Sequence, residues 1–408
     1  MSESILRAPS HVPAELVYDF DIYASLGEGD WSHEAFAQRL YGEAPRIFYT
    51  LRNGGHWVVT RLADATSVLR NPALFSSENE FNRWRGSSLK LLPLYYDPPE
   101  LGHARRILMP FLAPAAVGSM ELYMRSLAGK LIDTVLDKGG CEFIADIAHR
   151  YPVGIFFHMV DGPEAAREEL IGLVHRYLRA PEQAEREANF AKLTAFLTRL
   201  VEERRARPGE DMLSRMLVST FDGRDLTPEE CTGAVVNLFL AGLDTVASMT
   251  TFIMRRLASN PADYAKLVAN PSAIPGAVEE LIRISAVAAA QRGVREDCEL
   301  DGVALKKFDR IVVLLQMMGY DSEQNEDPGR VDFSRGVSRH VAFGSGPHRC
   351  LGSHLGRTEI KILLEEWVKR VPAFRVADGA RVQIEGGSVW VPASMPLVWN
   401  AASAGQTH

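Results

Sequence analysis

Phe343-Gly344-Ser345-Gly346-Pro347-His348-Arg349-Cys350-Leu351-Gly352 is the stretch from which the rest of the chain is best read. Its glycines and proline permit a tight, irregular loop that brings backbone amides close to one cysteine. A helical pattern follows at once, which places Cys350 at a helix N-terminus. Unpaired amides and the positive end of the helix dipole are expected there to lower the thiol pKa and steady a thiolate. A thiolate held that way can ligate iron. The alternative for ten residues taken alone is a structural cysteine in a glycine-rich turn, the commoner fate of a single Cys.

The chain has 408 residues, enough for two or three ordinary domains or one large one. Hydrophobic content of 46% and charged content of 24% are ordinary for a globular protein. A net charge of −7 argues against nucleic acid, which needs a concentrated basic face. Cys141, Cys231, Cys298 and Cys350 are scattered, without metal-ligand spacing of the Cys-x-x-Cys kind, which suits a reducing cytoplasm. Met1 to Leu16 carries no signal-peptide pattern, and no apolar run reaches the ~18 residues of a membrane span. The expectation is a cytoplasmic protein with no membrane partner, forming a single domain over residues 1–408 with a loose tail from Ala401.

Arg46 to Thr60 reads as two β-rich runs around Asn53-Gly54-Gly55, a hairpin signal. Leu62 to Leu69 is helical, and 75–92 is an irregular loop with Phe81, Trp84 and Leu89 among polar residues, the shape of a lid or binding loop. Asp97-Pro98-Pro99-Glu100 starts a helix. Helical patterns cover 115–136 and 153–203, and Thr227-Pro228-Glu229-Glu230 is a capping box for a long apolar helix running to about Ala258. Helices fit 262–268 and 273–284, with short β-like runs at 298–305, 310–315 and 382–395. The pattern is mainly helical with a minor β region.

Midway along the long helix stands Ala241-Gly242-Leu243-Asp244-Thr245. Gly242 costs a helix about 1 kcal/mol relative to Ala, and an Asp-Thr pair in an apolar stretch costs more unless satisfied. A small residue lets a flat group approach, a threonine hydroxyl can bond a carbonyl one turn back, and Asp244 can relay protons. A helix kink is the structural alternative. Glu280 and Arg283 lie at i and i+3 on one helix face, a weak signal by itself.

The spacing Phe-x-x-Gly-x-x-x-Cys-x-Gly, completed by Ala241-Gly242-Leu243-Asp244-Thr245 and Glu280-Leu281-Ile282-Arg283, resembles the cytochrome P450 superfamily. From His11-Val12-Pro13 through Gly54-Gly55-His56-Trp57, Phe75-Ser76-Ser77-Glu78 and Asp97-Pro98-Pro99-Glu100 to Pro396-Leu397-Val398-Trp399, the chain is similar to the bacterial class I type and its camphor hydroxylase branch. The resemblance implies the mainly α cytochrome P450 fold, a helical triangular prism with a minor β region. It implies a haem b bound through Cys350 and framed by Phe343, Gly344, Gly352, Ala241 and Gly242. Arg105, Arg292 and His348 occupy the positions of propionate partners, while Leu101 stands where many bacterial relatives have a histidine and Ala290 where the nearest often keep an acid. Asp244 and Thr245 match the pair that supplies protons to bound dioxygen, and Arg335 matches the third member of the Glu280–Arg283 ion network.

Laying the chains together places Phe81, Leu89, Asn237, Leu240, Val287, Ala288 and Val389 around a small apolar substrate. Leu89 stands near the tyrosine that holds camphor's carbonyl, so the substrate expected is another monoterpenoid or a norisoprenoid. Arg105, Arg106, Arg339, His348, Arg349 and Arg357 suggest a docking face for a [2Fe-2S] ferredoxin served by a reductase, since the chain has no flavin or nicotinamide fingerprint of its own. The resemblance also implies a monomer. The alternatives are a peroxide-driven peroxygenase, against which the Asp244-Thr245 pair argues, and a non-catalytic haem or lipophile binder.

Overall fold

Thr227 opens the longest helix. Its side chain accepts from the Glu230 amide at 3.2 Å while the Glu230 carboxylate accepts from the Thr227 amide at 2.9 Å, and Pro228 takes the first helical position. The computed structural model describes residues 7–27, 31–78, 80–81, 89–162, 164–179 and 183–400. Trp84 and the tail from Ala401 lie outside them. In chain order the α-helices are α1 (His33–Glu43), α2 (Leu62–Arg70), α3 (Glu100–Leu112), α4 (Pro114–Ser119), α5 (Glu121–Leu136), α6 (Arg150–Met159) and α7 (Glu164–Arg179). They continue as α8 (Gln183–Ala206), α9 (Met212–Leu217), α10 (Pro228–Ser259), α11 (Pro261–Ala269), α12 (Ile274–Ile284) and α13 (Ser353–Arg370).

The capped helix α10 belongs to two hydrophobic cores at once. Its first half, from Cys231 to Leu243, packs among α3, α6 and α8; its second half, from Ala247 to Ala258, packs among α5, α12 and α13. This helix is long and apolar enough to cross a membrane, contrary to the expectation that no stretch would be, but 56% of its most apolar window is buried inside the protein, as a core helix requires.

The hairpin forms as expected. Ile47–Thr50 pairs antiparallel with His56–Val59 across a turn in which Asn53, Gly54 and Gly55 all have positive φ. These two strands open a five-stranded sheet completed by Arg310–Val313, Ala290–Val294 and Phe75–Ser76. His56–Val59 and Arg310–Val313 run parallel; the other neighbours are antiparallel. Ala290–Val294, which the sequence pattern did not reveal, carries Arg292 to the edge of the site. The single expected helical region over 153–203 is divided among α6, α7 and α8; α6 ends where Asp161 takes a φ of 46°.

Candidate functional site

The loop ahead of α13 closes on itself: the Cys350 amide donates to Phe343 O at 2.8 Å. Gly346 has a φ of 69°, and a Cβ there would stand 2.5 Å from Leu69 O at the end of α2, so glycine alone fits both the turn and the contact. The Phe343 ring lies 4.3 Å under the Arg357 guanidinium, tying the loop to α13. Helix α13 starts at Ser353 with Gly352 as its N-cap, so Cys350 stands just ahead of the helix N-terminus at which it was expected. The thiol is nonetheless not lowered: burial pushes it up against the Gly352 amide, Arg105, Arg357 and Arg349, which act to lower it. The side chain is solvent-accessible because it faces an internal cavity, not because it reaches the outer surface.

That cavity has a volume of about 460 Å³. Cys350, Phe343, Gly344 and Gly352 line one wall, and Ala241, Gly242 and Thr245 of α10 line another. Nothing lies within 4 Å of where a Cβ on Gly242 would stand, so the helix surface is open to the cavity at that point. The Thr245 hydroxyl donates to Ala241 O at 2.5 Å, the one-turn-back bond expected from the sequence. Asp244 is not on the cavity wall. It is held inside the protein with Oδ1 unpartnered, and burial alone raises its carboxyl to about 7.

Arg105, Arg292 and His348 meet at one edge of the cavity. Arg105 donates to Arg349 O at 2.8 Å and Arg292 to Gln291 O at 2.7 Å, both backbone carbonyls. Burial pulls the Arg292 guanidinium down to about 10, with only Asp97 acting to raise it. His348 Nε2 lies 3.6 Å from Asp97 Oδ1, too far for a hydrogen bond, and is buried without a partner. Asp97 is already engaged by Ser76 Oγ at 2.5 Å and the Ser77 amide at 3.0 Å. Two arginines and a histidine facing a cavity, short of counter-charge, suit the two carboxylates of a haem edge, and Cys350 suits its iron. Leu101 and Ala290 line the same cavity. The residues present therefore fit a haem. Among the described residues no group of three or more His, Cys, Asp or Glu could hold a metal ion.

Residues 167–371 match the sequence profile described as Cytochrome P450. Over 402 residues, 96% of each chain, the protein is 33% identical to the "Probable cytochrome P450 127A1" of Sinorhizobium fredii. The chain belongs to the cytochrome P450 family. It is a haem b monooxygenase, like its relatives, which sets aside a non-catalytic binder. Two solved structures of the camphor hydroxylase branch superpose on this P450. CYP101J2 has a TM-score of 0.87 at 34% identity, covering 97% of this chain and 99% of that one. CYP101C1 has a TM-score of 0.89 at 31% identity, covering 97% and 100%.

On the side of the cavity behind the cysteine, the expected ion network of this P450 assembles. Glu280 accepts from Arg283 Nε at 2.8 Å and Nη2 at 2.7 Å, Arg335 Nε at 3.0 Å, Ser338 Oγ at 2.9 Å and the Asp332 amide at 3.1 Å. Burial works to raise the Glu280 carboxyl, but Arg283 and the other donors hold it below its usual range. Arg283 is 0% exposed and supplies two donors to Glu280, so Arg283→Ala leaves the buried carboxylate with Arg335 as its one remaining ion-pair partner. A loss of about 3–5 kcal/mol in denaturant unfolding of the haem-loaded protein is expected; a loss under ~1 kcal/mol would show the pair to be dispensable.

The substrate positions separate. Asn237, Val287 and Ala288 line the cavity; Leu240, Phe81, Leu89 and Val389 are not among its lining residues. Phe81 instead stacks on Phe308 with centroids 5.5 Å apart, and Val389 bridges Ala288 through the backbone. The Asn237 amide donates to Leu92 O at 3.2 Å, which ties it to the loop instead of leaving it free. One turn earlier, a Cβ on Gly233 would stand 2.4 Å from Lys90 O, so the same loop rests directly on α10. Sequence reasoning missed the hydrogen-bonded pair Gln291–Ser388 at 3.0 Å, the unpartnered Ser77 hydroxyl and Glu359, all on the cavity wall. Only Glu359 leaves a signal in the sequence: it interrupts the apolar stripe Leu355, Gly356, Ile360, Leu363 at helical spacing.

Proposed function

We propose that this P450 hydroxylates a compact, mostly apolar terpenoid, a monoterpenoid or norisoprenoid ketone or ester, using two electrons from a [2Fe-2S] ferredoxin. The observation that carries the substrate class is the cavity itself, whose exposed lining is mostly apolar and includes Leu243, Val246, Val287 and Ala288. Gln291 with Ser388, and the remaining carbonyl oxygen of Asn237, offer the hydrogen-bonding points that would orient one substrate carbonyl. The likeness to CYP101J2 and CYP101C1 supports the same class. Haem supplies the activation of dioxygen; the chain holds the C–H bond near it, and Asp244 with Thr245 manages protons. The stoichiometry is one substrate C–H, one dioxygen, two electrons and two protons giving one alcohol and one water. The reading treats the chain as one monomeric, cytoplasmic domain.

Electron delivery is assigned to the face outside Cys350. Arg357 is held by Glu279 and Arg105 is turned inward, which leaves Arg106, Arg339 and Arg349 as the exposed cations of the expected patch. With ferredoxin, its reductase and NADH, a panel of monoterpenoid and norisoprenoid ketones is expected to shift the haem Soret band on binding and to yield singly oxygenated products. The turnover rate should fall steeply with ionic strength, and Arg106→Glu or Arg349→Glu should raise the KM for ferredoxin several-fold at unchanged substrate affinity. Turnover with hydrogen peroxide alone, or products only from substrates as large as steroids, would overturn this reading.

A further inference from the structure

Glu359 is a second buried acid, apart from the Asp244-Thr245 pair. It sits on α13 with 3% of its surface exposed, on the cavity wall together with Leu355, Gly356 and Ile360. Its Oε2 is sealed from solvent and accepts from no described group. One titratable neighbour is Tyr151 of α6, whose hydroxyl is also buried and unpartnered and whose pKa is raised by burial and by Glu359.

Several cations on the elements packed against α13 have partners of their own. Arg125 of α5 is bound by Glu365 and Glu366, and Lys361 of α13 by Glu121. On the α12 side, Arg357 is bound by Glu279 and Arg283 by Glu280; His340 lies 3.6 Å from Glu279. Lys266 of α11 pairs with Asp263, and α4 carries no ionisable side chain. Along the cavity α10 presents Thr245 and, turned away, Asp244. Among the described residues no cation pairs with Glu359; Arg105, Arg292 and His348 stand at one edge of the same cavity, and burial alone raises the Glu359 carboxyl to about 8.

An unpaired carboxylate in a cavity shared with a haem feels every change in the charge of that haem. In a medium less polar than water this coupling is far stronger than at a surface. We propose that Glu359 is a redox-coupled proton acceptor: where it is ionised in the oxidised protein, it takes up one proton from solvent for each electron delivered to the haem site. The electron comes from the iron–sulfur donor, or from a mediator at an electrode. The proton forms an O–H bond on the carboxylate, and the net charge of the buried site is unchanged. Below about pH 8 the acid is protonated in both oxidation states, so it gives reduction no pH dependence. At higher pH it ionises in the oxidised protein and must be reprotonated on reduction, so alkaline conditions resist electron entry.

Spectroelectrochemical titration of the haem-loaded protein tests this. In wild type the reduction equilibrium should fall tenfold per pH unit above about pH 8, about 59 mV for a one-electron couple. Glu359→Gln should abolish that alkaline slope, while Asp244→Asn should keep it. A flat wild-type profile from pH 7 to pH 10, or the same slope in Glu359→Gln, overturns the proposal. Should Glu359→Gln fail to hold haem, redox-difference infrared spectra of the Asp244→Asn protein above pH 8 decide. A carboxylic-acid carbonyl band gained on reduction supports the assignment, and its absence overturns it.

Discussion

Cys350→Ser is expected to abolish the strongly red-shifted Soret band of the reduced, carbon monoxide-bound protein and to bring monooxygenase turnover to background. A serine oxygen keeps the shape of the loop but not the soft, electron-donating ligand that thiolate provides. The fold should survive, because the loop is held by features other than the sulfur: the Cys350 amide bond to Phe343 O, the Gly346 turn against Leu69 and the Phe343–Arg357 contact. Absorption spectra with carbon monoxide and far-ultraviolet dichroism on the same sample check both halves. Retention of the red-shifted band in a folded Cys350→Ser protein would sink the ligand assignment. The raised thiol pKa sharpens the expectation. In the protein alone burial disfavours the thiolate, so bound iron must drive deprotonation, as a coordinating metal does.

Asp244→Asn is expected to slow turnover by ~10²-fold or more, within the usual range for loss of a positioned acid, and Thr245→Ala to divert oxygen consumption away from product. The two variants act differently because the two side chains face differently. Thr245 lies on the cavity wall with its hydroxyl bonded to Ala241 O, whereas Asp244 is not among the lining residues and its Oδ1 is shielded from solvent. With its carboxyl raised to about 7, Asp244 is a proton donor near neutrality, so the wild-type rate should decline as pH rises through that value and Asp244→Asn should lose that limb.

The linkage sign follows from the same shift. The folded carboxyl binds its proton more tightly than the unfolded one, so its contribution to stability is lost as pH rises from about 4 towards 7. Asp244→Asn should therefore unfold at a higher temperature than wild type at pH 8, with the difference shrinking as pH falls. Measured product per NADH and per oxygen, together with Tm at the two pH values, tests the pair. Unchanged rate and coupling in both variants would remove them from proton handling.

Much of this protein was legible because its decisive signals are local. The glycine-rich Cys350 loop, the Thr227–Glu230 capping box and the Asn53-Gly54-Gly55 turn each depend on backbone conformations or hydrogen bonds within a few residues, so residue type and spacing suffice to specify them. The Glu280-x-x-Arg283 pair was legible as a pair, and Arg335 could be joined to it only by resemblance, since its bond to Glu280 spans 55 residues.

What the tertiary structure alone decided lies where the outcome depends on direction or on distant partners. Adjacent residues on a helix point ~100° apart, so sequence places Asp244 and Thr245 side by side but does not say which of them faces the cavity. Helix phase and the packing of neighbouring elements likewise leave Asn237 on the cavity wall and Leu240 off it. The strand that carries Arg292 exists through pairing with Arg310–Val313 and Phe75–Ser76, contacts remote in the chain with no local period to announce them. The electrostatics of Glu359 are the furthest from the sequence. An acid in an apolar stripe is visible there, but its lack of an ion-pair partner exists only once α5, α6, α10 and α12 have closed around α13 and several of their cations have been claimed by other partners.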